Sequence, residues 1–286
     1  MTIIDEKSLS LFIENAINED IGDGDHSTLA CIQKGVKGKA QLIIKQKCIL
    51  AGMEVAPLVF SKLYAFMNFK KYKNDGDEVD KGDIAFEVEG EISAILSAER
   101  LVLNIMQRMS GIATVTRQYV DKIKDLKTKI LDTRKTTPGM RMLEKAAVAI
   151  GGGTNHRMGL YDMIMLKDNH IDFAGGIEKA IDAANNYLIK TGKNIKIEIE
   201  ARSIDDVNKI VNHGKVDIIM LDNFNIENTI KAVEIINNKF LTESSGNITL
   251  ANVRDYALCG VDFISIGALT HQIKSIDMSL KAKIDD

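Results

Sequence analysis

The chain has 286 residues, 45% hydrophobic and 27% charged, with a net charge of −3 and three cysteines, Cys31, Cys48 and Cys259. That length holds one large domain plus a smaller one, and the slight acidic balance provides no basic field for nucleic acid. No apolar run approaches a membrane span, and scattered cysteines without a CxxC spacing suit a reducing cytoplasm.

Ser8–Ile17 reads as the first helix and follows an acidic, amphipathic start that lacks the pattern of a secretion signal. A polar loop, Glu19–Thr28, comes next. Ala40–Ile44 and Cys48–Leu50 read as strands, Val55–Phe66 as a helix, and Phe69–Tyr72 and Ile84–Val88 as further strands. The hairpin in GDEVDKGDIAFEVEGEI resembles that of biotinyl and lipoyl carriers but has no lysine at its tip after Glu89, so it reads as a plain hairpin. The first hundred residues therefore form a small α+β domain.

Ser97–Ser110 is predicted to be a helix apolar over most of its circumference. Arg100, Asn104, Gln107 and Gly111 fall at i, i+4, i+7 and i+11 and make one narrow polar stripe. A helix that apolar is buried, so the stripe must face a polar partner or a site. A second helix, Ala113–Lys124, leads into the rest of the chain.

From there the pattern changes. Six short apolar runs each stop on polar or charged residues: Lys129–Asp132, Asp162–Leu166, Ile195–Glu200, Asp217–Leu221, Phe240–Glu243 and Asp262–Ile266. Helical stretches such as Met140–Ile150, Ile204–Asn212 and Ile226–Asn237 separate most of them. Strands alternating with amphipathic helices predict βα units around a parallel sheet. In a closed barrel of that kind the strand C-termini form the active face. The groups gathered there are cationic early (Arg134, Lys135, His156, Arg157, Lys167), acidic later (Glu198, Glu200, Asp222, Glu243), then small (Ser245, Gly246, Gly267). Converging cations need an anion, and two arginines can each grip a carboxylate bidentately. Ser-Ser-Gly followed by Gly-Ala supplies amides and hydroxyls for a phosphate. Lys167 alone also fits a Schiff-base lyase. His26, His170 and His213 show no zinc spacing, and the acidic loop Glu19–Asp25 lacks the calcium-loop pattern.

The runs LDTRKTTPG, GGGTNHRMGL, DMIMLKDNHI, IEIEARS, DIIMLDNF, ESSGNI and SIGALTH, with EDIGDGDHST and SAERLVLNIMQRMSGIAT upstream, closely resemble the quinolinate phosphoribosyltransferases, also called nicotinate-nucleotide pyrophosphorylases (carboxylating). The resemblance covers nearly the whole chain. It implies an α/β fold: an incomplete parallel α/β barrel over 113–271 and a smaller N-terminal α+β open-sheet domain over 1–112, which a C-terminal helix over 272–286 can join. It implies a pentosyltransferase that moves phosphoribose from phosphoribosyl pyrophosphate to quinolinate with decarboxylation, giving nicotinate mononucleotide for NAD biosynthesis. A homologous transferase for another small aromatic acid is the alternative.

By the same resemblance, Arg134, Lys135, His156, Arg157 and Lys167 line the quinolinate pocket. Arg100 reaches the site of the partner subunit in a homodimer. Glu200 and Asp222 lie near the ribose and Mg²⁺, while Ser245, Gly246, Gly267 and His271 hold the 5′-phosphate. Strand alternation alone separates the roles of Glu198 and Glu200, and Asn247 stands where a smaller residue is common.

Overall fold

In a computed structural model of the chain, residues 5–283 are described. Two compact units emerge, each drawn from segments distant in sequence. One comprises the chain up to Arg117, Thr136–Gly152 and the segment from Leu269 onward; the other comprises Gln118–Lys135 and Gly153–Ala268.

The first unit opens with α1 (Glu6–Ile21) and α2 (His26–Cys31), capped by the carboxylates of Asp5 and Asp25. The expected loop at Glu19–Thr28 is thus partly helical, and the Asp25–Thr28 spacing is its N-cap. Strands β1 (Lys37–Ile44), β2 (Cys48–Ile49), β3 (Asn68–Lys71), β4 (Glu78–Val79) and β5 (Ile84–Glu91) follow, with α3 (Ala56–Leu63) between β2 and β3. Alternation in β1 buries Ala40, Leu42 and Ile44 on one face. On β5, Phe86 joins Phe60 and Phe69 in a ring cluster with centroids 4.4–6.2 Å apart.

The C-terminal helix expected over 272–286 is instead a strand, β12 (Met278–Lys283), with residues 284–286 outside the described range. It pairs antiparallel with β1, setting Leu280 opposite Leu42 and Met278 opposite Ile44 and giving the sheet order β12-β1-β5-β3. Period-two burial of Met278 and Leu280 decides the matter: one face packs and the other does not.

The two helices expected around residue 112 are one, α4 (Ile92–Ile123), of 32 residues. Gly111 is no break. A Cβ there would meet the Lys274 carbonyl oxygen at 2.5 Å, so the glycine lets another segment lie against the helix. The helix runs without a break through 112/113, where the two domains were expected to join. The helix α5 (Arg141–Ile150), expected in the barrel domain, belongs to the first unit. There Gly151 packs against α4, where a Cβ would meet the Ala113 carbonyl oxygen at 2.5 Å.

The second unit holds β6 (Lys129–Leu131), β7 (Ile164–Leu166), β8 (Ile197–Ala201), β9 (Ile218–Asp222), β10 (Leu241–Ser245) and β11 (Phe263–Ser265). Between them run α6 (Asp168–Ala174), α7 (Ile177–Thr191), α8 (Ile204–His213), α9 (Ile226–Ile236) and α10 (Val253–Leu258), and α11 (Ala268–His271) follows β11. All pairings are parallel, in the order β6-β11-β10-β9-β8-β7. Sequence order thus wraps back to β6, but β6 and β7 are not paired, which leaves the barrel incomplete. Ser203 and Asn225 cap α8 and α9 and fix where each helix leaves its loop. Every residue of β8 is buried, so Ile197, Ile199 and Ala201 face one side while Glu198 and Glu200 share the other.

Candidate active site

Each polar group predicted at a strand end of the second unit is placed by a short strand and by the loop after it. Asp132, directly after β6, is fully buried and organises the loop that carries the cations. Its carboxylate accepts from the Asn155 amide at 2.5 Å and from the His156 backbone N–H at 2.8 Å. A parallel bridge between Leu131 and Thr154 holds the two segments side by side. The Arg157 guanidinium donates to the Met163 carbonyl at 3.1 Å.

Arg157 is buried, and its pKa is lowered first by that burial and then by Arg134, with Glu198 and Asp162 opposing. Arg134 and Arg157 therefore lie in each other's field. The buried Nε of Arg134 has no hydrogen-bond acceptor among the described residues. Two buried arginines within each other's field are relieved by an anion. Lys135 is exposed at the lip of the same loop.

The acidic side has two levels. Nearer the mouth, Lys167 Nζ lies 3.3 Å from Glu200 Oε2. Burial raises the Glu200 pKa, Lys167 opposes the rise, and the charge of Asp222 adds to it. Glu200 and Asp222 thus face a common space. Lys167 is half-exposed and ion-paired, the placement of a positioning cation rather than of the desolvated nucleophile a Schiff base requires.

One pleat deeper, His156 Nε2 sits 3.0 Å from Glu198 Oε2 and 3.3 Å from Glu243 Oε2, all three side chains at most 6% exposed. Burial opposes a charge on the ring and the two carboxylates favour one, so the cluster as a whole holds a proton more tightly than a free imidazole does. Glu198 is pushed up to about 7 by burial and by the charge of Glu243. The cluster therefore keeps at least one proton beyond a neutral ring and two carboxylates at neutral pH.

The alternation that left Glu198 and Glu200 open is resolved by depth: both face inward, Glu200 toward Lys167 and Asp222, and Glu198 toward His156. The Glu198–His156–Glu243 contact was not foreseen. The two-residue spacing in IEIE was its only local sign, since Glu243 and His156 come from other parts of the chain.

Ser245 and Gly246 close β10. Gly246 has φ +96°, and a Cβ there would run into the Asn223 side chain. Asn223 N–H donates to the Ser245 carbonyl at 2.8 Å, and the Asn247 amide donates to Asn223 Oδ1 at 3.1 Å. Asn247 itself has φ +54°, a conformation asparagine tolerates, so its presence after Ser-Ser-Gly fits this turn. Gly267 follows β11 in the same unit. Arg100 and His271 are exposed residues of the first unit. Half of the predicted stripe on α4 is explained locally, because Gln107 donates to the Met278 carbonyl at 3.1 Å and Gly111 meets Lys274. Arg100 and Asn104 remain on the exposed side.

Residues 112–281 match the family model of the quinolinate phosphoribosyl transferase C-terminal domain, and residues 25–110 match that of the N-terminal domain. The chain belongs to the quinolinate phosphoribosyltransferase family. Among its relatives, the Nicotiana tabacum protein named quinolinate phosphoribosyltransferase [decarboxylating] 2b, mitochondrial, is 42% identical over 281 residues, 93% of this chain and 80% of that one. The chloroplastic nicotinate-nucleotide pyrophosphorylase [carboxylating] of Arabidopsis thaliana is 41% identical over 288 residues, 96% and 82% of the two chains. Among solved structures, the nicotinate-nucleotide pyrophosphorylase of Francisella tularensis superposes with a TM-score of 0.91 at 39% identity, covering 98% of each chain.

Proposed function

We propose that this chain carries out the quinolinate phosphoribosyltransferase reaction with the residues gathered at the strand ends of its second unit. The ring nitrogen of quinolinate attacks C1′ of phosphoribosyl pyrophosphate, forming the N–C1′ bond as the C1′–O bond to pyrophosphate breaks. The C2–carboxylate bond then breaks to release CO₂, its electron pair stays on C2, and a proton replaces the carboxylate to give nicotinate mononucleotide. The convergence of Arg134 and Arg157, one with an unfilled buried donor, carries this reading. Two bidentate cations suit two carboxylates better than the single one of nicotinate. Release of pyrophosphate and CO₂ with quinolinate, and no pyrophosphate with nicotinate, is the expected result; equal turnover of nicotinate would overturn it.

No covalent nucleophile is required. The work is positioning and stabilisation of charge around an oxocarbenium-like centre. Arg134, Arg157, Lys135 and Lys167 form the cationic wall that orients quinolinate and favours the carbanion left at C2, and the His156 ring lies behind it. Glu200 and Asp222 take the ribose side, with Lys167 held between the two halves by Glu200. Ser245, Gly246 and Gly267 offer hydroxyl and amide donors to the 5′-phosphate, and we assign His271 to the same end from the family pattern. The paired carboxylates of Glu200 and Asp222 are hard oxygen donors that suit Mg²⁺, which when bound supplies neutralisation of the pyrophosphate charge. Asp222→Asn should accordingly depress turnover and the use of phosphoribosyl pyrophosphate and Mg²⁺ while quinolinate binding holds. Collapse of quinolinate binding alone would mean that the two halves are reversed.

We also read the enzyme as a cytoplasmic homodimer. Its three cysteines are free, and no helix of the described residues is long and apolar enough to cross a membrane. Arg100, exposed on an otherwise apolar helix, is the residue we assign to the partner's site. An Arg100→Ala chain and an Arg134→Ala chain should each be nearly inactive. Unfolded and refolded together, about half the dimers would be mixed, each with one intact site, so roughly a quarter of wild-type activity should return. Continued inactivity of verified heterodimers would mean that Arg100 serves its own subunit.

A further inference from the structure

The deepest polar feature of the second unit is the contact of His156 with Glu198 and Glu243. Three observations separate it from ordinary core packing. First, two carboxylates are fully buried where a barrel interior is ordinarily filled by Val, Ile and Leu. Burying charge in this way is seldom favourable for stability alone. Second, no carboxylate oxygen of Glu198 or Glu243 has a hydrogen-bond donor elsewhere among the described residues; both converge on one ring nitrogen. Third, the opposite ring nitrogen is engaged. The Arg157 backbone N–H donates to His156 Nδ1 at 2.7 Å, so Nδ1 carries a lone pair and the ring's own proton lies on Nε2, facing the two carboxylates.

That tautomer also argues against a metal ion among these three side chains, although their ligand atoms lie within 4.8 Å of one another. A metal on Nε2 would force the ring proton to Nδ1, directly against the Arg157 N–H.

We propose that Glu243 and Glu198 are positioning residues, a pair of buried carboxylates that fix the His156 ring so that its Nδ1 anchors the Arg157 backbone and aims the guanidinium. Asp132 holds the preceding peptide, the Met163 carbonyl holds the guanidinium, and the clamp sets the angle between them. The inference rests on the assignment of Arg157 to the quinolinate pocket.

The test is a double-mutant cycle read by calorimetric titration of quinolinate. Glu243→Leu should weaken quinolinate binding on the order of tenfold to a hundredfold, the cost of misplacing a binding group by about 1 Å. The KM for phosphoribosyl pyrophosphate should stay within about threefold of wild type. Glu243→Gln, which keeps an oxygen opposite Nε2, should restore most of the affinity. Added to Arg157→Ala, Glu243→Leu should cost almost nothing more, because its effect is transmitted through Arg157. Losses that multiply, or wild-type affinity in folded Glu243→Leu, would overturn the clamp while leaving the pocket reading intact. Undiminished quinolinate affinity in Arg157→Ala alone would overturn the pocket reading and the proposal with it. Nitrogen-15 resonances of the His156 ring in the wild-type enzyme decide the matter even if Glu243→Leu does not fold. A protonated Nε2 and bare Nδ1 are expected, and a protonated Nδ1 would overturn the proposal.

Discussion

Replacing Arg134 or Arg157 with alanine should weaken quinolinate binding by roughly 2–5 kcal/mol each, the scale for truncating one partner of a buried, hydrogen-bonded charge pair. The two arginines converge from different directions, one from the loop after β6 and the other from the segment bridged beside it. With the pocket empty they repel one another; with a dicarboxylate bound, each has a planar partner. Removing one leaves a substrate carboxylate desolvated opposite an apolar stub, so the loss includes that carboxylate's desolvation as well as the missing bond. Phosphoribosyl pyrophosphate affinity should change far less. Calorimetry that finds near wild-type quinolinate affinity in both variants would remove the pair from the pocket.

The second large effect is expected on stability. Arg108, on α4, donates through Nε to Glu144 at 2.7 Å and through Nη2 to Thr137 Oγ1 at 2.8 Å and the Thr270 carbonyl at 3.1 Å. Glu144 is fully buried, and its other oxygen accepts the Thr137 backbone N–H at 3.2 Å. Arg108→Ala would strand that carboxylate, which costs about 3–5 kcal/mol when a buried pair loses one member. Paired replacement, Arg108→Leu with Glu144→Leu, should recover much of the loss, because no lone charge is then left inside. Urea unfolding is the measurement, and a loss below about 1 kcal/mol in the single variant would show that Glu144 finds another partner.

Both variants turn on side chains that the sequence displays with unequal clarity. The second unit was readable because its strands are short apolar runs ending in charge, and six of six such runs mark a strand. Arg134, Lys167, Glu200 and Asp222 were accessible for the same reason, since a strand end fixes where the next residues emerge, whereas Arg157 follows no named strand and came from the family resemblance. The errors share a different cause. Two helices were expected on either side of Gly111, but the Lys274 backbone needs its bare Cα within one continuous helix, and that segment lies 163 residues further on. The C-terminal segment has enough polar residues to pass for a helix surface, and only its partner β1 reveals the period of two. Arg108 fell outside the predicted stripe because its carboxylate partner sits on α5. The Glu198–His156–Glu243 contact is likewise assembled from three segments, so no local window contains it.

The pairing of β12 with β1 has a consequence for synthesis. β1 leaves the ribosome before the other strands of the described residues, and β5 covers one of its edges within some fifty residues. The other edge waits for Met278–Lys283, more than two hundred residues further along the chain. At about 5–20 residues per second that wait lasts on the order of ten to fifty seconds. During it a strand ending in Leu-Ile-Ile presents unpaired N–H and C=O groups, a template for the wrong neighbour. Lys37 and Lys39 stand at the start of that edge as its own deterrent to mispairing. The second unit has all its strands before β12 exists, so the sheet that is begun before it is completed after it.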